Sequence, residues 1–320
     1  MRNFYGIILD FLIFIFPRKI AVILASKLKY KFIHDHLDPN IKRKKSYFNT
    51  HEMFILKNGI HGEQLFVNIN DHIGFRYYIN GFFDDIPFQV CKSLGFDNVF
   101  FIDIGANVGS ISVPIAYSGT NVIAIEPQLR LINNLIHNLA VNEISNCIAL
   151  PIALGSENES FLTLHTQPGN SGAASFKKNW NSGKISGIDL KVPVFKFDTV
   201  IYPFLTNQNY AGKIFIIKLD VEGFESEVLH GAVEFIKEFK PIILFENRPD
   251  LSGASDSVEF LKMFNYDFFG LRNSPTSHCE SIDTLKWVDF DLQLKYENVL
   301  AIPSKLKHLL IEIFPDISHK

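Results

Sequence analysis

Two clusters of charged residues, each closing an apolar run, are the places where this chain can do chemistry. The first is Asp103, which precedes the turn Gly105-Ala106-Asn107-Val108-Gly109; the next apolar run closes on Glu126-Pro127. The second is Lys218, Asp220 and Glu222 within Ile216-Ile217-Lys218-Leu219-Asp220-Val221-Glu222-Gly223-Phe224-Glu225. A carboxylate two residues before a glycine turn repels a pyrophosphate and favours a ligand that carries positive charge. The turn also fails the GxGxxG dinucleotide fingerprint, because Asn107 and Ser110 stand where glycines are needed.

A ligand with a cationic centre and a ribose therefore fits better, and S-adenosylmethionine has a sulfonium, an ammonium and a ribose. Glu126 follows Asp103 by 23 residues, close to the ~20-residue spacing at which an acid accepts both hydroxyls of a ribose diol. Pro127 stops the strand there. In an extended strand residues 218, 220 and 222 share one face, and charges at the end of a buried strand are costly unless paired or used. Plainer readings stand beside these: Asp103 as a helix cap, Glu126 as a solvated strand end, and Lys218 in an ion pair with Asp220 or Glu222 that holds the next helix.

The elements that must position these residues follow from the apolar pattern. Strand, glycine turn, helix and strand over residues 99–127 make one βαβ half of a nucleotide-binding fold. A helix is predicted at 128–141, with apolar positions 131, 132, 135, 136 and 139 on one face, and a strand at 146–152. Residues 155–198 break the alternation with Gly/Asn/Ser clusters around strand-like runs at 161–164 and 192–197, the type of insertion that carries substrate loops. Alternation resumes with strand 214–219, helix 224–237, strand 241–245, helix 255–264, strand 266–271 and a last strand at 298–302; the polar stretch 272–297 suits an antiparallel return. Strands alternating with helices predict an α/β fold with a mostly parallel sheet covered on both faces.

Ahead of this core, residues 46–98 read as an approach module of strands plus a helix packed on the main domain. Residues 1–45 form an arm with apolar patches at 4–16 and 20–25, both shorter than the ~20 residues of a membrane span. The arm carries ten Lys/Arg against three Asp, +7, so the remainder of this −3 chain carries −10. The domain division is thus 1–45 arm, 46–98 module, 99–305 catalytic domain with its insertion at 155–198, and 306–320 tail. The net charge argues against a nucleic-acid partner. Cys91, Cys147 and Cys279 are widely spaced and fit no zinc pattern, so a reducing, cytoplasmic setting without a metal is expected.

Seven blocks in order, DIGANVG, AIEP, ALG (153–155), the Asn/Gly/Ser loop 170–175, FDTV (197–200), IKLDVEGFESEVLHGA and KPIILFE, resemble the FkbM-type methyltransferases over residues 70–302. The resemblance implies the class I methyltransferase fold, a Rossmann-like seven-stranded sheet, and S-adenosylmethionine-dependent methylation, commonly of a hydroxyl. It implies that Asp103, Gly105, Asn107, Gly109 and Glu126, with Pro127 beside them, hold the cofactor, and that Lys218, Asp220 and Glu222 line the transfer site. An alcohol needs a base in that step; Asp220 is the first choice, Glu222 the second, and Lys218 an orienting group. The expected acceptor is a small molecule, a glycan or a lipid-linked sugar. The arm is expected to lie peripherally on the inner face of a membrane, with packing on the domain or a homodimer seam as its alternative. Two rival functions stay open: an NAD-dependent Rossmann sugar-modifying enzyme, and a catalytically silent membrane-associated binding module.

Overall fold

The computed structural model describes residues 54–167, 170–178, 187–208, 210, 212–246, 254–272, 286–289 and 298–313. The arm at 1–45 lies outside the described residues, and among these no helix is long and apolar enough to cross a membrane.

The hairpin β1 (Phe54–Asn58) and β2 (Gln64–Asn68) leads into helices α1 (His72–Asn80) and α2 (Ile86–Leu94), so the approach module has one helix more than its sequence suggests. Asp71 caps α1 by accepting the Ile73 N–H, and Gly81 ends the helix in the left-handed conformation. Then follow β3 (Val99–Ile104), α3 (Ser112–Tyr117), β4 (Asn121–Ile125), α4 (Leu129–Val141) and β5 (Cys147–Leu150). β6 (Ala153–Leu154), just ahead of the insertion, joins the insertion's β7 (Glu159–His165) and β8 (Asp189–Phe195) in a separate three-stranded sheet. The core resumes with α5 (Phe197–Thr206), β9 (Ile214–Leu219), α6 (Glu225–His230), α7 (Val233–Phe239), β10 (Ile242–Glu246), α8 (Ala254–Lys262), β11 (Tyr266–Arg272), β12 (Lys286–Asp289), β13 (Asn298–Pro303) and α9 (Leu310–Ile313).

The main sheet runs β12-β11-β13-β10-β9-β3-β4-β5. Strands β5, β4, β3, β9 and β10 are parallel, and β13, β11 and β12 pair antiparallel beyond them. This is the class I methyltransferase arrangement expected above, with β12 added at the edge as the antiparallel return. Period-two alternation sorts the core. Phe101 and Ile216 face the apolar layer under α2, α3 and α4, while Phe100, Ile102 and Ile217 face the layer under α5 to α8. Each such buried side chain contributes about 1.5–3 kcal/mol.

Two helical expectations need correction. The helix predicted at 224–237 is two, α6 and α7: the Gly231 carbonyl accepts the Asp198 N–H at 2.9 Å in place of a helical N–H, and the chain passes so close to the Gly155 carbonyl there that a Cβ would collide with it. The Asp198 carboxylate then accepts the Glu234 and Phe235 N–H groups and starts the second helix. On α4, Leu131, Ile132, Leu135 and Leu139 are buried, but Ile136 is 49% exposed, since the helix rests on the sheet along a stripe narrower than its apolar pattern.

Candidate active site

The carboxyl ends of β3, β4 and β9 open onto a cleft of about 750 Å³, its open mouth included. Gly105, Asn107, Glu126, Pro127, Lys218, Asp220 and Glu222 all line it, so residues more than 100 positions apart meet in one place. Gly105 makes the meeting possible. The Asp220 N–H donates to the Ile104 carbonyl at 3.0 Å, and with φ at +93° a Cβ on Gly105 would run into the Asp220 carbonyl oxygen.

Glu126 is buried at the mouth of β4, where each oxygen accepts one backbone N–H: Asn107 to Oε2 at 3.0 Å and Gln128 to Oε1 at 2.9 Å. Burial raises its pKa from 4.5 to about 7, and the bonds from Gln128 and Asn107 pull against that rise. The Gln128 side chain bonds the carboxylate as well, and the acceptor capacity that remains suits a ligand hydroxyl. Asn107 takes a left-handed φ of 51° and folds its own side-chain oxygen onto the Val108 N–H.

Asp103 and Gly109 do not line the cleft. Asp103 lies one layer beneath it, 1% exposed, accepting the Ser112 hydroxyl at 2.5 Å on Oδ2 while Oδ1 has no hydrogen-bond partner. Burial raises its pKa, and Lys218, opposite it in the β3–β9 register, offsets only part of the rise. Gly109, at φ +84°, leaves the room that Val113 of α3 and Leu135 of α4 fill. It serves the turn through packing.

The second cluster departs from the strand geometry read in its sequence. Strand β9 ends at Leu219, and Glu222 and Gly223 both turn left-handed, at φ 50° and 91°, so Glu222 is not carried on the strand face. Glu225 holds that turn by accepting the Val221 N–H at 3.2 Å and the Gly223 N–H at 3.1 Å. The turn still brings the carboxylates of Asp220, Glu222 and Glu246 within 4.8 Å of one another. Lys218 is 7% exposed and its Nζ lies 2.9 Å from Asp220 Oδ2. Burial alone would lower its pKa, but Asp220 and Asp103 outweigh it and hold the amine above the usual lysine range. A lysine so held stays protonated and cannot act as the base. The ion pair that a plain reading of the sequence allowed is therefore present, and it stands at the site.

A smaller hollow of about 390 Å³ shares Lys218 and Asp220 with the cleft and is bounded by Asp84, Ile86, Phe245, Glu246 and Asn298. Glu246, Glu225, Gln128, Ser112 and Asp84 were not singled out from the sequence. Glu225 and Glu246 fall within the quoted blocks, but their roles depend on tertiary contacts that spacing does not reveal.

The family model for the methyltransferase FkbM domain matches residues 103–268. No curated protein matches the chain. Among solved structures, the methyltransferase FkbM from Methylobacillus flagellatus KT is 18% identical, covering 64% of this chain and 44% of its own, with a TM-score of 0.38. This chain thus spans less than half of that protein's length. Precorrin-6y C5,15-methyltransferase from Geobacter metallireducens GS-15 is 12% identical, covering 68% of this chain and 87% of its own, with a TM-score of 0.34. Magnesium protoporphyrin IX methyltransferase from Synechocystis PCC 6803, solved with bound SAM, is 12% identical over 69% of this chain and 77% of its own, with a TM-score of 0.36. The family match takes in just over half of the chain, including both charged clusters and the insertion between them, and the chain belongs to the FkbM methyltransferase family.

Proposed function

We propose that this protein transfers a methyl group from S-adenosylmethionine to a hydroxyl of a glycan or a secondary metabolite. The observation that carries the reading is the Lys218–Asp220 pair, which forms the wall common to the cleft and the smaller hollow. The cleft suits the donor on its own residues: a buried carboxylate at Glu126 with acceptor capacity for a ribose hydroxyl, and the acids Asp220 and Glu222 on its wall, with Asp103 one layer beneath, for a cationic centre. When bound, S-adenosylmethionine supplies a methyl group activated by its sulfonium. The chain's own residues supply the rest. An alcohol has a pKa far above 7, so its proton must leave as its oxygen attacks. Asp220 lies between the two cavities to accept it, with Lys218 fixing the carboxylate through Oδ2. Acceptors enter the smaller hollow, where Asp84 and Glu246 accept hydroxyl hydrogen bonds.

Titration calorimetry tests the donor assignment: S-adenosylhomocysteine should bind and NAD should not, and Glu126→Ala should weaken binding by about 1–3 kcal/mol. Tight NAD binding, or no effect at Glu126, overturns it. The pH dependence has a defined sign. A folded pKa of about 7 against 4.5 means that Glu126 favours the folded state most at low pH, and that this contribution fades between about 4.5 and 7. Ligand hydroxyls favour the ionised form, so S-adenosylhomocysteine affinity should rise with pH up to about 7 and then level off. Glu126→Gln should flatten that profile.

From the charge of residues 1–45 we further infer a reversible hold on anionic membrane, each base near the surface contributing ~1 kcal/mol. Co-sedimentation with anionic vesicles should fade with salt and vanish when residues 1–45 are deleted. Equal sedimentation of both chains rejects it.

A further inference from the structure

Three distant parts of the chain meet at Ser171. Its backbone N–H donates to Asp71 Oδ2 at 2.7 Å and its hydroxyl donates to Asp71 Oδ1 at 3.0 Å. The Asn107 side-chain amide donates to the Ser171 hydroxyl oxygen at 3.2 Å, and the Gln128 side-chain amide donates to the Ser171 carbonyl at 3.2 Å. Four residues on, the Ser175 hydroxyl donates to the Glu222 carbonyl at 2.7 Å. Segment 171–176 is therefore a strap pinned at one end beside the Glu126 carboxylate and at the other beside the base. Gly172, Ala174 and Phe176 of the strap line the cleft between those ends.

Asp71 differs from the other partners in this set. It lies in the approach module, outside the matched residues 103–268, and is 8% exposed. It is also fixed in place, because the same carboxylate caps α1 through the Ile73 N–H at 3.1 Å. Two bonds from one residue to one ionised carboxylate are stronger than bonds between neutral partners. Ile73 from the same helix lines the cleft and meets Gly172 of the strap, where a Cβ would lie 3.0 Å from its terminal methyl.

We propose that Asp71 is a positioning residue of the methyl-donor site: through Ser171 it holds the strap across the cleft against Asn107 and Gln128, and so sets how fast the donor's nucleoside half leaves. The assignment rests on reading the cleft as the donor site. It makes the approach module a structural part of that site, and it places the control of release in a residue that touches no ligand.

Asp71→Asn separates this role from helix capping. Asparagine still caps through Oδ1, but its NH₂ faces the Ser171 N–H, a donor against a donor. The measurements use the full chain: amide hydrogen exchange of residues 171–176 without ligand, the dissociation rate of S-adenosylhomocysteine, and the thermal midpoint. Asp71→Asn should raise exchange in the strap and speed dissociation, each about tenfold, with the midpoint lowered only by the few degrees that the same tenfold implies. Ser171→Ala, which removes only the hydroxyl bonds, should act in the same direction with a smaller effect. Unchanged exchange and dissociation in both variants overturns the proposal, as does exchange that rises evenly across the whole chain rather than in the strap. If the wild-type chain does not bind S-adenosylhomocysteine, the donor reading fails, while the exchange comparison still decides whether Asp71 holds the strap.

Discussion

Replacing Asp220 by asparagine is expected to lower methyl transfer at least ~100-fold, the scale of a positioned base, with S-adenosylhomocysteine affinity nearly unchanged. The substitution preserves volume and leaves Glu126 and its backbone donors in place, so the donor half of the cleft should survive. What disappears is the carboxylate that, alone among the described residues, borders both cavities and pairs with Lys218. Initial rates with a labelled methyl donor, set beside calorimetry on the same preparation, separate the two effects. Near-normal turnover would move the base to Glu222, whose carboxylate is within 4.8 Å of that of Asp220, and Glu222→Gln would then be the informative variant.

The second large effect is structural. Gly105→Ala is expected to cost roughly 3–5 kcal/mol of stability and to abolish S-adenosylhomocysteine binding. A left-handed alanine alone costs about 1–2 kcal/mol, and here the added Cβ also meets the Asp220 carbonyl. To relieve that clash the chain must pull Asp220 off Ile104, which separates the turn from the proposed base. Gly119→Ala is the control. Gly119 also has a positive φ, +99°, but no atom lies within 4 Å of a Cβ there, so only the backbone cost of about 1 kcal/mol remains. Denaturant unfolding that finds the two variants equally stable would remove the close approach as the reason for glycine at 105.

Most of the sheet was legible because its strands are buried on both faces and read as unbroken apolar runs. β3, β4 and β9 sit within a residue or two of their expected limits. Glu126, Lys218 and Asp220 could be found because charge at the end of such a run is conspicuous. What was not legible depends on contacts made across the chain. Gly231 falls inside a run that reads as one helix, and the contacts that divide it, from Asp198 and the Gly155 carbonyl, come from far along the chain. Glu222 fitted a strand alternation that its left-handed backbone breaks. Asp103 looked like a ligand-facing acid, but the fold spends its charge beneath the cleft on Ser112 and Lys218. Asp71 and Ser171 are 100 residues apart, and neither type nor spacing links them.

The order of strands also constrains how the chain can assemble as it is synthesised. Strand β13 is made after β11 and β12, yet it lies between β10 and β11. Until residues 298–303 have been made, β11 has no place on the sheet, and β10 presents one edge unpaired, with Ile243, Leu244 and Phe245 along it. A nascent chain that stalls before residue 298 thus exposes an apolar strand edge of the kind that recruits other chains. The last strand to emerge acts as the bolt of the sheet, and a chain that loses it should fail by aggregation before it fails by loss of activity.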